Sequence, residues 1–192
     1  EMCEFPSERE YDVLVAAGEQ VSIALLSMAL QSMGYKAKSY LGWQIPVYTD
    51  NSFSKARIEE IPDSNIREDL HNGTIVIVAG FQGIDRDNNI TTMGRGGSDT
   101  SAAYFAARLG ASRLEIWTDV PGMFTADPRV VPSARLLVAL HYDEAQELAS
   151  TGSTVLHPRC LTPLRSFGIP LFIRSTTHPG LDGTVISSVT EE

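Results

Sequence analysis

Thr74-Ile75-Val76-Ile77-Val78-Ala79-Gly80-Phe81-Gln82-Gly83, followed shortly by Gly94-Arg95-Gly96-Gly97-Ser98-Asp99, decides the fold of this chain. The β-branched run Thr74 to Ala79 predicts a strand buried on both faces, the pattern of a parallel sheet covered by helices. Glycine turns come next. Ser98 is then read as an N-cap, and the alanine-rich segment Thr100 to Leu109 as a helix. Glycine permits positive φ and lets backbone amides approach a ligand closely. An opening helix turn adds N–H groups without intrahelical partners and the positive end of the helix dipole. With the Arg95 guanidinium among them, Gly80, Gly83, Gly94, Gly96 and Gly97 outline an anion site, suited to a phosphate or a carboxylate.

The flanking sequence fills in an α/β pattern. Glu19 to Met33 reads as a helix with Val21, Leu25, Met28 and Leu30 on its apolar face, ended by Gly34. Residues 1–10 read as a frayed polar start. Short strands are expected between Tyr35 and Tyr48 and over Arg57 to Ile61, then a polar helix from Pro62 to about Asn72-Gly73. Beyond the glycine loops, strands are expected at Leu114–Thr118, Pro170–Arg174 and Gly183–Ile186, with helices at Tyr142–Ser150 and from Pro158 to Phe167. Helices alternating with apolar strands predict a mainly parallel central sheet with helices on both faces. At 192 residues the chain is read as a single domain, 1–192.

Composition narrows the function. A net charge of −9 argues against a nucleic-acid surface, which needs clustered cations. No uninterrupted apolar run reaches the ~18 residues of a membrane helix, and no secretory pattern opens the chain. Cys3 and Cys160 stand far apart without metal spacing, which suits free thiols in a cytoplasmic protein. The chain opens on Glu1 rather than Met, so it is expected to be part of a longer polypeptide.

Ligands of open α/β sheets sit at the carboxyl ends of strands, so Gly80–Gly83 and Thr118-Asp119 are expected at the same sheet edge. The better-known phosphate loops are absent: neither Gly-x-x-x-x-Gly-Lys-Ser/Thr nor a Gly-x-Gly-x-x-Gly turn directly joining strand to helix occurs. Thr118-Asp119-Val120-Pro121-Gly122-Met123-Phe124 leading to Asp127-Pro128-Arg129 brings an aromatic, a cation and polar groups, the inventory a nucleotide requires. The same residues would also serve as a surface loop with a capping Asp. Glu19, after Gly18, is read at the start of a helix, where it either offsets the helix dipole or holds an ammonium group. His71, His141, His157 and His178 are scattered and support neither a metal site nor a triad. Asp85, Asp87 and the two asparagines after them read as a solvated hairpin tip rather than a calcium loop.

Phe81-Gln82-Gly83, Thr91-Thr92-Met93-Gly94-Arg95-Gly96-Gly97-Ser98-Asp99-Thr100, Thr118-Asp119-Val120-Pro121-Gly122, Asp127-Pro128-Arg129 and Val155-Leu156-His157-Pro158 together resemble the aspartate kinases of the amino-acid kinase family, from about Gly18 to Ile186. The resemblance implies a three-layer α/β/α domain that phosphorylates the β-carboxylate of L-aspartate with ATP and Mg²⁺, the first step toward lysine, threonine and methionine. It implies a homo-oligomer, a dimer in the first instance, with no nucleic-acid or membrane partner. By position, Glu19 would hold the substrate ammonium, and Arg95, Gly96, Gly97 and Ser98 its α-carboxylate. Asp99 would be the catalytic residue, organising groups near the transferring phosphoryl. Thr118, Asp119, Phe124, Arg129, Thr154 and Val155 would line the nucleotide.

The sequence departs from the family at several points. The family opens with a strand and a Lys-Phe-Gly-Gly-Thr-Ser phosphate loop that this chain does not contain. Its only lysines, Lys36, Lys38 and Lys55, lie outside the glycine motifs. The lysine the family places before Val-Leu-His-Pro is Thr154 here, and Phe124 stands at a common tyrosine position. Phosphoryl transfer depends on cations around the non-bridging oxygens, so these changes lead us to expect a weakly active or inactive piece. The alternative is a kinase-like module that binds a ligand or partner without chemistry. Residues 187–192 are expected to begin a linker to regulatory domains.

Overall fold

The computed structural model describes residues 3–151 and 155–189. The chain divides between Ser101 and Ala102 into two compact units.

In the first unit, α1 runs Glu8–Ser32. It is followed by β1 (Ala37–Tyr40), β2 (Tyr48–Thr49), β3 (Ile58–Glu60), α2 (Ser64–His71), β4 (Ile75–Val78), β5 (Gln82–Ile84), β6 (Ile90–Thr92) and the opening of α3 (Gly97–Leu109). The helix start is earlier than the sequence reading placed it. The Ser7 side chain accepts the Glu10 amide, and Glu8 and Glu10 sit in the first turn where the dipole favours them. Gly18 lies inside the helix rather than before it, a cost of about 1 kcal/mol that capping and packing offset. By length and composition α1 would also be long enough to cross a bilayer, with a mean hydropathy of 1.8 in its most apolar window. Here it packs on the unit through Asp12, Ala16, Ile23 and Ser27, and Ile23 joins Ala37, Ile77 and Ala79 in a small core.

β1 and β4 pair in parallel as a two-stranded sheet. The Ile-Val-Ile-Val run is less buried than its composition predicts. Ile77 is core, whereas Ile75 is exposed, because β4 pairs with β1 alone among the described residues. A second sheet has the order β3-β2-β5-β6, with β2–β5 parallel and the outer pairs antiparallel. β5 and β6 form the expected hairpin. At its tip Asp85 is buried and accepts from the amides of Asp87 and Asn89 and from the Asn89 side chain, an Asx-type turn.

In the second unit the rest of α3 leads to β7 (Leu114–Thr118), β8 (Ala139–His141), α4 (Tyr142–Ser150), a 3₁₀ turn at Pro158–Cys160, α5 (Leu161–Phe167), β9 (Leu171–Ser175) and β10 (Thr184–Ser187). The sheet order is β7-β9-β10-β8, parallel except for β9–β10. Ala103, Ala106 and Ala107 of α3 pack with Tyr142, Leu161, Leu164, Leu171, Ile173 and Ile186 into one core. α4 opens on a capping box: His141 accepts the Asp143 amide while Glu144 accepts the His141 amide. His157 caps the 3₁₀ turn by accepting from the Arg159 amide. Two of the four histidines thus serve as helix caps. Cys3 is exposed and Cys160 buried, and neither forms a disulfide. The fold is α/β with mixed, mostly parallel sheets and helices, as the alternation of elements predicts.

Candidate active site

The glycine loop after β6 forms one wall of a cavity of about 470 Å³ within the first unit. Gly94 through Asp99 line it together with Phe81, Thr92, Ser54, and Tyr11 and Val15 of α1. The loop turns sharply because Gly94 and Gly96 adopt φ values of 70° and 72°. At Gly94 the constraint is also spatial: a Cβ would lie 2.6 Å from the Ser54 carbonyl oxygen. At Gly97 a Cβ would meet the Phe81 ring at 2.7 Å, so the start of α3 lies directly against the β4–β5 turn. That contact is braced by polar bonds. Ser101 Oγ donates to the Gly97 carbonyl (2.7 Å) and accepts the Phe81 amide (2.8 Å), and Met93 N–H donates to Phe81 O (3.0 Å).

α3 begins at Gly97, so Ser98 occupies its first turn instead of capping it. The Thr100 amide and hydroxyl both donate to Gly96 O. Arg95 is exposed at the cavity wall and has no carboxylate partner among the described residues. A solvent-facing cation and Ser98 therefore share one rim with the opening turn of α3, where the Gly97 amide is spent on the Gly94 carbonyl (3.0 Å). These are the residues that the sequence reading assigned to an anion. Asp99 shares the rim and stands in the first turn of α3, where a carboxylate is favoured.

Glu19 lies in the interior of α1, so it does not offset that helix's N-terminal dipole. It is half-buried and does not line the cavity, but it follows Tyr11 and Val15 at successive four-residue steps, on the stripe of α1 that does. Two contributors were missed in the sequence. Ser54, a non-glycine residue at φ 62°, supplies a cavity wall, and the fully buried Asp12 holds it there. Asp12 belongs to the buried stripe Asp12, Ala16, Ile23 and Ser27, whose helical spacing is visible once the helix is extended to Glu8.

The second candidate set lies in the second unit. Thr118 ends β7, and its hydroxyl donates to the Asp119 carboxylate (3.2 Å). Its carbonyl accepts from Thr176 N–H (2.8 Å) and Oγ1 (3.0 Å), which fixes the strand end. The turn after it is anchored by Thr184, whose hydroxyl accepts the Met123 amide (2.8 Å) and donates to Leu137 O (2.6 Å). Phe124 is half-buried and bridges to Leu136. Arg129 is highly exposed and forks onto Asp127, which holds the Asp127 carboxyl below its usual range and raises the guanidinium in turn. Val155 packs against the core of this unit. Thr154 lies outside the described residues.

Residues 3–175 match the model of the amino acid kinase family. The chain belongs to the amino acid kinase family. Within that family its similarity is to aspartokinases. It is 54% identical over 173 residues to aspartokinase 2 of Bacillus subtilis, covering 90% of this chain and 42% of that protein. It is 48% identical over all 192 residues to the aspartokinase of Pseudomonas aeruginosa, 46% of that protein's length. A crystal structure of E. coli aspartokinase III in complex with aspartate and ADP superposes with a TM-score of 0.92 at 36% identity, covering 98% of this chain and 43% of that one. This amino acid kinase therefore spans less than half the length of the relatives it matches.

Proposed function

We propose that the protein to which this chain belongs transfers the γ-phosphoryl group of ATP to the β-carboxylate of L-aspartate, giving 4-phospho-L-aspartate on the route to lysine, threonine and methionine. The observation that carries this reading is the rim on which Arg95, Gly96, Gly97 and Ser98 line one cavity. Its support is the similarity to aspartokinases, one of them solved with aspartate and ADP. In this reading Arg95, the Gly96 amide and Ser98 hold the α-carboxylate, while Gly97, whose amide is spent on the Gly94 carbonyl (3.0 Å), shapes the turn that presents them. Glu19, on the α1 stripe beside the cavity, holds the ammonium. Asp99 orients polar groups toward the β-carboxylate as charge moves onto it.

Nucleotide contacts fall to Thr118, Asp119, Phe124, Arg129, Thr154 and Val155 of the second unit. Arg129 must exchange its Asp127 partner for phosphate oxygens, which its exposure permits. Among the described residues no group of three or more His, Cys, Asp or Glu side chains could cage a metal. The residues instead suit a Mg²⁺ that arrives on the nucleotide phosphates and needs only one or two carboxylates. We further propose a cytoplasmic homo-oligomer, and a single kinase domain over 1–192 continuing into a linker at 187–192.

Calorimetric titration of this chain with L-aspartate tests the reading. Binding is expected, and Arg95→Ala should weaken it by about tenfold or more, the loss of one charge-assisted contact. Equal heats for the variant and the parent chain, or no binding by either, would reject it. A second reading, a binding module without chemistry, is favoured by Thr154 in place of a lysine. Aspartate-dependent ADP release by the intact protein would rule that module out.

A further inference from the structure

Asp12 is fully buried, yet it does not line the cavity and no Lys, Arg or His pairs with it among the described residues. Among the described residues its two oxygens are met by N–H and O–H donors of Ser54 and Thr92. Oδ2 accepts the backbone amides of Ser54 (2.9 Å) and Thr92 (2.8 Å). Oδ1 accepts the hydroxyls of Ser54 (3.0 Å) and Thr92 (2.7 Å) and also shares the Ser54 amide (3.1 Å). Ser54 and Thr92 are both cavity walls, and Tyr11 and Val15, the walls supplied by α1, flank Asp12 in sequence. Ser54 is held at a positive φ that only surrounding contacts maintain. Its carbonyl lies against Gly94, and the Ala56 amide closes the circuit by donating to Thr92 O (2.9 Å).

We propose that Asp12 is a positioning residue. It clamps α1, the Ser54 turn and the end of β6 together, and so fixes the α1 stripe bearing Glu19 relative to the loop bearing Arg95. The identity of the ligand rests on the aspartate-kinase reading; the clamp itself does not. A carboxamide at this position can keep four of these five contacts, losing only the longer branch of the shared Ser54 amide. Its oxygen takes both amides, and its NH₂ donates to the two hydroxyls, which rotate to accept. An alanine can make none of them.

The test compares Asp12→Asn and Asp12→Ala with the parent 192-residue chain, by amide hydrogen exchange without ligand and by L-aspartate calorimetry. Asp12→Ala should speed exchange at Ser54 and Thr92 through Ser98 by about tenfold or more, with β9 unchanged, and should weaken aspartate binding by about tenfold. Asp12→Asn should stay within about threefold of the parent in both readouts, since it keeps four of the five contacts. A lowered unfolding midpoint with unchanged exchange in 92–98 would reduce Asp12 to a structural role and overturn the proposal. Asp12→Asn behaving like Asp12→Ala would also overturn it. If the parent chain does not bind aspartate, the ligand reading falls and the exchange comparison alone decides the clamp. If Asp12→Ala does not fold, Thr92→Val, which deletes one hydroxyl donor, should raise exchange across the same residues, and its failure to do so would overturn the proposal.

Discussion

Replacing Gly94 by alanine should destabilise the first unit and deform the proposed substrate loop together. Two costs arise at this position. Gly94 has φ 70°, a left-handed conformation that costs an L-residue about 1–2 kcal/mol. The new Cβ would lie 2.6 Å from the Ser54 carbonyl oxygen, a backbone atom with no flexible end to yield. Such overpacking typically costs about 1–3 kcal/mol. Ser54 cannot swing aside cheaply, because Asp12 binds both its amide and its hydroxyl. The two terms give about 2–5 kcal/mol, a large share of the stability of a typical domain. Gly18→Ala is the matched control. It lies inside α1, where a new methyl group would have no neighbouring atom within 4 Å, and helix propensity alone should stabilise by up to about 1 kcal/mol. Urea unfolding of the two variants reads both numbers. A Gly94→Ala loss under about 1 kcal/mol would show that the Ser54 turn relaxes freely and would refute the reasoning.

Acid should weaken the fold through two carboxylates. Asp69 is held below its usual range by hydrogen bonds from Tyr40 and Lys38; at Asp85 burial pushes upward, but the bonds from Asn89 and Asp87 prevail and lower it. Both folded values lie under the unfolded one, so their stabilisation is full above the unfolded pKa and is lost as pH falls through the folded value. The urea midpoint should drop below about pH 4, and Asp85→Asn should be less stable at neutral pH but flatter in acid. An unchanged acid slope in that variant would contradict the assignment. In thiol titration Cys3 should react at once and Cys160 only on unfolding; rapid labelling of both would show that the core around Cys160 opens. Removing the Glu144 half of the α4 capping box with Glu144→Ala should cost about 0.5–1.5 kcal/mol in the same unfolding assay, the net worth of one hydrogen bond, and no loss would mean that the His141 bond alone suffices.

The second unit was the more legible in sequence. Leu114–Thr118 and Tyr142–Ser150 fall where patterning puts them, because β-branched and amphipathic periods there agree with burial. The glycine loop was legible because φ near 70° at Gly94 and Gly96 leaves few other residue choices. α1 was misread at its start because Gly18 resembles a breaker, while the Ser7 cap and the tertiary role of Asp12 outweigh its propensity. That one misplacement hid Asp12 and put Glu19 at a helix terminus it does not occupy. Ser54 carries no sequence signal at all: its strained backbone is imposed by a carboxylate 42 residues away.

The most direct test of the proposed substrate site is a titration of the ¹⁵N-labelled chain with L-aspartate, followed by amide chemical shift. Perturbations should concentrate at Gly94–Asp99, with a second group on α1 around Val15 and Glu19, and should be absent with Arg95→Ala. Shifts confined to other residues, or an unchanged response in Arg95→Ala, would contradict the assignment of this cavity to the amino acid.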